Sequence, residues 1–327
     1  MIYQSLLHVI GHTPLVRIPF DVPAPIYAKL EYLNPGGSIK DRAALYMIEE
    51  AERTGILKPG GTIIEASSGN QGIAAAMIGA IKGYKVIITA STKVSKEKLD
   101  TMQAYGAELI LYEPKMRLDD PESYRSKAFA LHKNTPNSFF LNQYFNQWNM
   151  DAHYHMLGKE LWEQTAGKMT HFFAAAGSGG TVSGAGKYLK EKSATIKIIG
   201  VDAATSYRST EGNPKPYKIE GMGVDYDSPV LATEYIDTFA TIADAPALDM
   251  LKILASRYGF LVGPPSGAVA QAAYEYAKNL TENDMVVMLF GDSGRAYLSK
   301  NYYAQSTPAK NIAPYAQDIQ PAIQMKE

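Results

Sequence analysis

The chain has 327 residues, of which 46% are apolar and 20% charged, with a formal net charge of −1. That length predicts two domains with substantial cores, and the near-neutral balance excludes a global field for nucleic acid or an anionic membrane. There is no cysteine, which removes disulfides, cysteine nucleophiles and thiolate metal sites together and fits a reducing compartment.

The first residues, MIYQSLLHVIGHTP, have no basic lead and no small-residue cleavage site, so they do not read as a signal peptide. The uncharged run 172–186 is rich in glycine and serine and too short for a bilayer. A cytoplasmic, soluble protein is expected. Next comes NPGGSIKDR (34–42), a lysine behind Gly36, Gly37 and Ser38 and directly before Asp41 and Arg42. The glycines allow a tight bend, and Ser38 can cap a helix that begins around Lys40.

From residue 62 the pattern alternates. TIIEA (62–66), KVIIT (85–89) and ELILY (108–112) read as strands. Between them lie the helical segments GIAAAMIGAIKG (72–83) and SKEKLDTMQAYG (95–106), the second with Leu99, Met102 and Tyr105 on one face. Such βαβαβ runs imply a parallel sheet with helices on both faces. The alternation restarts with THFFAAA (170–176), the helix 182–192 and IKIIGVD (196–202). Helices over 247–259 and 267–280 and the strand MVVMLF (285–290) complete it. Two such runs predict two open, twisted, mostly parallel sheets. The expected boundaries are 1–40 with 146–305 for a larger domain and 41–145 for a smaller, mobile one. Residues 306–327 form an extension without periodicity.

In open α/β sheets ligands bind where strands lead into helices. Three such loops stand out. GSGGT, Gly177 to Thr181, combines glycines, two hydroxyls and a helix start, a phosphate-binding combination. It is not a dinucleotide fingerprint, since Val182 stands where the last glycine belongs, nor a Walker loop, since Gly186-Lys187 leads into Tyr188. SSGNQG, Ser67 to Gly72, offers hydroxyls, amides and a helix N-terminus, equally suited to a small carboxylate or to plain capping. GDSGR (291–295) matches the serine stretch of trypsin-like proteases in four residues only, on the wrong architecture. The histidines offer no metal site, because His153 and His155, two apart on a predicted helix, face different directions. Lys40 by itself reads as a surface lysine at a helix start. Beside a phosphate cup and a carboxylate cup it reads as a nucleophilic amine, the kind that forms Schiff bases.

These motifs, in this order and spacing, resemble the cysteine synthase and cystathionine β-synthase family of pyridoxal-phosphate enzymes. The likeness extends to IGHTPLVRI (10–18), YAKLEYLNPGGS (27–38), IEGMGVDY (219–226), LVGPPSGA (261–268) and GDSGRAYLS (291–299). It implies the tryptophan synthase β-like, fold type II architecture and the cofactor pyridoxal 5'-phosphate. Lys40 would form the aldimine with the cofactor and later move the substrate proton. Asn70 would bond the cofactor's phenolic oxygen, and Gly177, Ser178, Gly179, Gly180 and Thr181 its phosphate. Ser293 would face the pyridine nitrogen, although the neighbouring Asp292 stays open as the residue that does. Ser67, Ser68, Gly69, Gln71 and Gln143 would bind the substrate carboxylate, and Gly221 and Gly223 would line the entrance.

The implied reaction is β-replacement on O-acetylserine, O-phosphoserine or serine through an aminoacrylate intermediate, with sulfide giving cysteine or homocysteine giving cystathionine. Asp225 and the stretch NQYFNQWNMDAHY (142–154) lean towards cystathionine. Gln71 departs from the small hydroxyl residue usual in cysteine synthases. A serine or threonine dehydratase or a diaminopropionate-type synthase of the same fold is the alternative, and retention of Lys40 speaks against a non-catalytic binding protein. The partners expected are small amino-acid substrates and a second copy of the chain in a homodimer, not nucleic acid or membrane.

Overall fold

The computed structural model describes residues 2–114, 120–224 and 226–304. Asp225 and the extension from residue 306 lie outside the described residues. In chain order the strands are β1 (Leu15–Ile18), β2 (Ile26–Leu30), β3 (Thr62–Ala66), β4 (Lys85–Ser91) and β5 (Glu108–Tyr112). They continue with β6 (Ser138–Phe140), β7 (His171–Ala175), β8 (Lys197–Ala203), β9 (Thr238–Ile242) and β10 (Val286–Phe290). Two sheets result, ordered β1-β2-β10-β7-β8-β9 and β5-β4-β3-β6. All pairings are parallel except the edge pair β1–β2.

The central strands are buried on both faces, which is why they read as unbroken apolar runs. All five residues of β3 and of β10 are buried. Alternate residues feed different cores, as a pleated strand requires. In β7, Phe172 and Ala174 join the core that holds Leu161, Val182 and Leu189, while Phe173 joins the one with Leu251, Val269 and Met288. In β3, Ile63 packs with Ala74, Met77 and Met102, and Ile64 with Ile87 and Phe140.

The helices are α1 (Lys40–Arg53), α2 (Asn70–Lys82), α3 (Lys96–Ala104), α4 (Tyr124–Asn134), α5 (Trp148–Ala152) and α6 (Lys159–Gln164). After them come α7 (Gly180–Lys192), α8 (Asp244–Tyr258) and α9 (Pro264–Ala277). A π-helical segment, His153–Gly158, joins α5 to α6. On α3 Met102 is buried, with Leu99 and Tyr105 packed against the same core. Helix α9 begins at Pro264, three residues before the expected start, because proline fits the first helical turn where no N–H is needed. The antiparallel pair β1 and β2, the short strand β6, the edge strand β9 and helix α4 are additions to the sequence-based expectation. The pattern of β9 is only half-buried, so its apolar signal is weak. No helix among the described residues is long and apolar enough to cross a membrane.

Helix α1 joins the two layers. Ile39 packs in the core beneath β7 and β10, and its N–H donates to Gly291 O at 2.8 Å. One turn later Ala43, Ala44, Met47 and Ile48 lie in the core of the four-stranded sheet.

Candidate active site

The stretch NPGGSIKDR is folded by the charges that flank its lysine. The backbone N–H of Gly36 donates to Asp41 Oδ2 at 2.6 Å, closing the loop onto the first turn of α1. A Cβ at position 36 would lie 2.5 Å from Asp41 Oδ1, so only glycine permits that approach. Ser38 Oγ accepts from Lys40 N–H at 3.2 Å, as expected of a capping serine. Burial pushes the Asp41 carboxyl up to about 7.

Arg42 points the other way, into a buried set of charges. Its Nε and Nη2 donate to the two oxygens of Glu31 at 2.8 and 2.7 Å, and Nη1 donates to Glu160 Oε2 at 2.8 Å. Lys29 pairs with the other oxygen of Glu160, so two cations and two anions balance. Burial alone would raise the Glu31 carboxyl; the charge and hydrogen bonds of Arg42 hold it down at about 2. This set locks the start of α1, and hence the base of Lys40, to β2 and α6.

Lys40 opens on a cavity of about 590 Å³ formed where the carboxyl ends of β3, β6, β7 and β10 meet. Its amine has no hydrogen bond or ion pair among the described residues. Burial lowers it to about 8, against the opposing attraction of Glu65 and Asp292. Glu65, the penultimate residue of β3, is itself fully buried and pushed up to about 8 by that burial. One of its oxygens accepts from Asn142 N–H at 2.8 Å, which fixes the loop carrying Gln143.

Of the residues singled out in the sequence, the cavity wall brings together Lys40, Ser67, Ser68, Gly69, Asn70, Gln71 and Gln143. Gly177, Ser178, Gly179, Thr181, Gly221 and Gly223 lie there too. Gly180 stands just behind, as the first residue of α7, and a Cβ on it would meet Asn149 Oδ1 at 2.5 Å. Ser293 is not in the wall: its Oγ accepts from Arg295 N–H at 3.3 Å. The residue of that pair lining the cavity is Asp292, which is 4% exposed. Asp292 Oδ2 accepts from Asn70 Nδ2 at 2.7 Å and from Tyr297 Oη at 2.5 Å, so it aims the Asn70 amide.

Gln71 is 1% exposed, and neither its Oε1 nor its Nε2 has a partner among the described residues. An amide buried in this way costs free energy unless a ligand satisfies it. In the glycine loop, Gly179 has φ +93°, and a Cβ there would lie 2.5 Å from Leu231 Cβ. Buried Asn149 donates through Nδ2 to Ser178 Oγ at 3.0 Å and to Gln143 O at 2.7 Å. Because the Ser178 oxygen already accepts, its own proton is free to donate into the cavity. Thr181 Oγ1 shares a 3.1 Å hydrogen bond with His153 Nε2, and burial holds that imidazole neutral, at about 3.

Sequence reasoning missed Asn149, His153, Glu65 and Lys98. Lys98 is 3% exposed and lines the cavity from α3. No motif marks these four, although His153 lies in a π-helical segment, a feature common at functional sites.

A family model described as "Pyridoxal-phosphate dependent enzyme" matches residues 6–292. The chain is 42% identical over 308 residues to a cystathionine beta-synthase of Apis mellifera, covering 91% of this chain and 61% of that protein. It is 38% identical over 305 residues to an O-acetylserine dependent cystathionine beta-synthase of Bacillus subtilis (strain 168), covering 92% and 98%. Among solved structures it resembles the O-acetylserine dependent cystathionine beta-synthase from Helicobacter pylori, with TM-score 0.87, 37% identity and coverage of 93% and 99%. The chain spans about three fifths of the length of several curated relatives it matches.

Proposed function

The chain belongs to the family of pyridoxal-phosphate dependent enzymes, and on that premise we propose that it catalyses β-replacement on an activated serine, with a thiol as the nucleophile. O-acetylserine, O-phosphoserine or serine is the first substrate, and cysteine or cystathionine the product. The observation that carries this reading is Lys40, an unpartnered amine held at about 8 between a phosphate cup and a carboxylate cup.

The residues present fit the cofactor. They offer an amine for its aldehyde, a cavity of about 590 Å³, and a glycine loop at the start of a 13-residue helix where a Cβ would intrude. When bound, pyridoxal phosphate supplies an electrophilic aldehyde and a ring that delocalises the charge left at the substrate α-carbon. Lys40 Nζ would hold the cofactor through its aldehyde, and its free amine would be the base for the substrate α-proton. At pH 7 roughly a tenth of an amine of this pKa is neutral, against less than ~0.1% for an ordinary lysine.

Backbone N–H groups from Gly177 to Thr181, Gly180 included, would hold the phosphate, with the hydroxyls of Ser178 and Thr181 beside them. Asn149 and His153 set those two hydroxyls. Asn70, aimed by Asp292, donates to the phenolic oxygen. Ser67, Ser68, the Gly69 backbone, Gln71 and Gln143 would hold the substrate carboxylate, which would accept from the otherwise unpartnered Gln71 Nε2. Gly221 and Gly223 line the entrance. Ser293 serves the ring nitrogen by family resemblance, which requires its hydroxyl to turn from Arg295 N–H.

By the same resemblance the protein works as a cytoplasmic homodimer, which sedimentation would test. The purified protein should be yellow, borohydride should fix the cofactor to Lys40, and O-acetylserine with a thiol should give the substituted amino acid. A colourless protein in the presence of added pyridoxal phosphate would refute the reading.

A further inference from the structure

His153 lies in the π-helical segment that joins α5 to α6, outside the loops marked by the sequence. Two glycines let that segment press against α7. A Cβ on Gly184 would lie 2.9 Å from His153 Cβ, and one on Gly158 would lie 2.7 Å from Cβ of Tyr188. The close approach brings the imidazole to the first turn of α7, where Nε2 is 3.1 Å from Thr181 Oγ1. His153 is 0% exposed, and its Nδ1 has no partner among the described residues. Burial keeps the ring neutral, aided by the charges of Lys40 and Arg42 and opposed by Glu31.

A neutral imidazole carries one N–H and a hydroxyl one proton, so the bond between them has a direction. With the ring proton on Nδ1, an N–H would be buried without an acceptor, and Thr181 would spend its own proton on Nε2. With it on Nε2, His153 is the donor, and only a bare ring nitrogen stays unpaired. Buried N–H groups without an acceptor are rarer in folded proteins than acceptors without a donor. The other hydroxyl of the loop already has this direction. Asn149 Nδ2 donates to Gln143 O, a carbonyl that can only accept, which fixes the amide. Its bond to Ser178 Oγ is therefore a donation as well.

We infer that His153 keeps its proton on Nε2 and donates it to Thr181, so that Thr181 turns its own proton to the cofactor phosphate. This rests on the reading of GSGGT as the phosphate loop. His153 does not line the cavity, so it is a positioning residue that acts by directing a hydroxyl. An anion calls for donors, and a Thr181 bonded the other way would meet it with lone pairs. The glycines at 158 and 184, which no step of the reaction uses, are then the packing that holds the ring at this hydroxyl.

Nitrogen NMR of protein labelled in its histidine rings reads the tautomer directly, in the apoprotein and in the holoenzyme. The His153 signals are assigned by their loss in His153→Gln or, should that variant not fold, by their shift in Thr181→Val. They should show a protonated Nε2 and a bare Nδ1. His153→Leu should weaken the binding of pyridoxal 5'-phosphate about tenfold, the effect of one hydrogen bond lost to a charged group. His153→Gln, whose amide N–H can take the place of the ring N–H, should recover most of that loss. In a Thr181→Val background His153→Leu should change affinity less than about twofold, because the hydroxyl it directs is gone. Phosphorus NMR of the bound phosphate should shift in His153→Leu and return towards the native position in His153→Gln.

A proton on Nδ1 in either form of the protein overturns the proposal. So does an equal loss of affinity from His153→Leu with threonine or with valine at position 181, since that marks a merely structural ring. Native affinity in a folded His153→Leu overturns it too. A native protein that binds no pyridoxal phosphate would instead overturn the phosphate-loop reading, and the role of Thr181 with it, whichever tautomer is found.

Discussion

Replacing Arg42 with methionine removes one cation from a balanced buried set and leaves Glu31, which is 0% exposed, with hydrogen bonds from Thr13 and Asn34 but no adjoining cation of its own. Breaking a buried pair from one side costs roughly 3–5 kcal/mol. For a domain of ordinary size that is a fall of about 6–20 °C in unfolding midpoint. The loss depends on pH in a defined direction. In the native protein the Glu31 carboxyl is held at about 2, so its contribution is present above the unfolded value near 4.5 and fades as pH falls through that window. In the variant the unpaired carboxyl titrates above 4.5, so the penalty applies when it is ionised and relaxes when it is protonated. The gap between native and variant should therefore be wider at pH 8 than at pH 5. Calorimetry at both values measures it. The double variant Arg42→Met with Glu31→Gln should recover more than about 1 kcal/mol of the sum of the single losses. A midpoint shift under about 2 °C for Arg42→Met, or strict additivity in the cycle, would refute the electrostatic argument.

Three further outcomes are expected. Gly179→Ala must place a side chain at φ +93° and against Leu231. Strain of about 1–3 kcal/mol then weakens cofactor affinity by about 5- to 100-fold in a fluorescence titration, and affinity within twofold of native would contradict the loop geometry. The rate at which the apoprotein takes up pyridoxal phosphate should level off above pH 8, where the Lys40 amine is already neutral. A rate still climbing tenfold per pH unit beyond about 9 would show an ordinary lysine. Glu65, raised to about 8 by burial, binds a proton in the folded state between 4.5 and 8 that the unfolded chain does not. Stability should thus fall as pH rises through that window, and Glu65→Gln should flatten the slope; an unchanged slope would remove Glu65 as its cause.

The central strands could be read from the sequence because they are buried on both faces and largely apolar: β10 is so throughout, and β3 apart from Thr62 and Glu65. The three loops could be read because glycines and hydroxyls cluster where a strand ends. What escaped depends on distance along the chain or on the facing of neighbours. Arg42 meets Glu160, 118 residues away, and nothing local to NPGGSIKDR announces that partner. Asp292 and Ser293 are adjacent, and only the path of the backbone decides which one lines the cavity. Lys98 precedes Leu99 on a helix whose apolar face points to one core, so it reads as a solvated charge although Tyr297 and Glu220 cover it. Asn149 acts through its fit beneath Gly180, a contact between segments that are far apart in sequence.

The position of Lys40 at the crossing between the two sheets has a mechanical consequence. The chain passes from one layer to the other at Ser38–Lys40 and again around Gln143–Asn149, and both crossings border the cavity. A rotation of the four-stranded layer about these crossings would displace the backbone of Lys40 little, because that residue lies on the axis. Lys40, the proposed tether, thus sits near that axis, with Asn70, Gln71 and Lys98 lining the cavity on one side and Glu220 to Gly223 on the other. On the proposed reading, such a rotation would let the protein close on a substrate while the group attached at Lys40 stays nearly still.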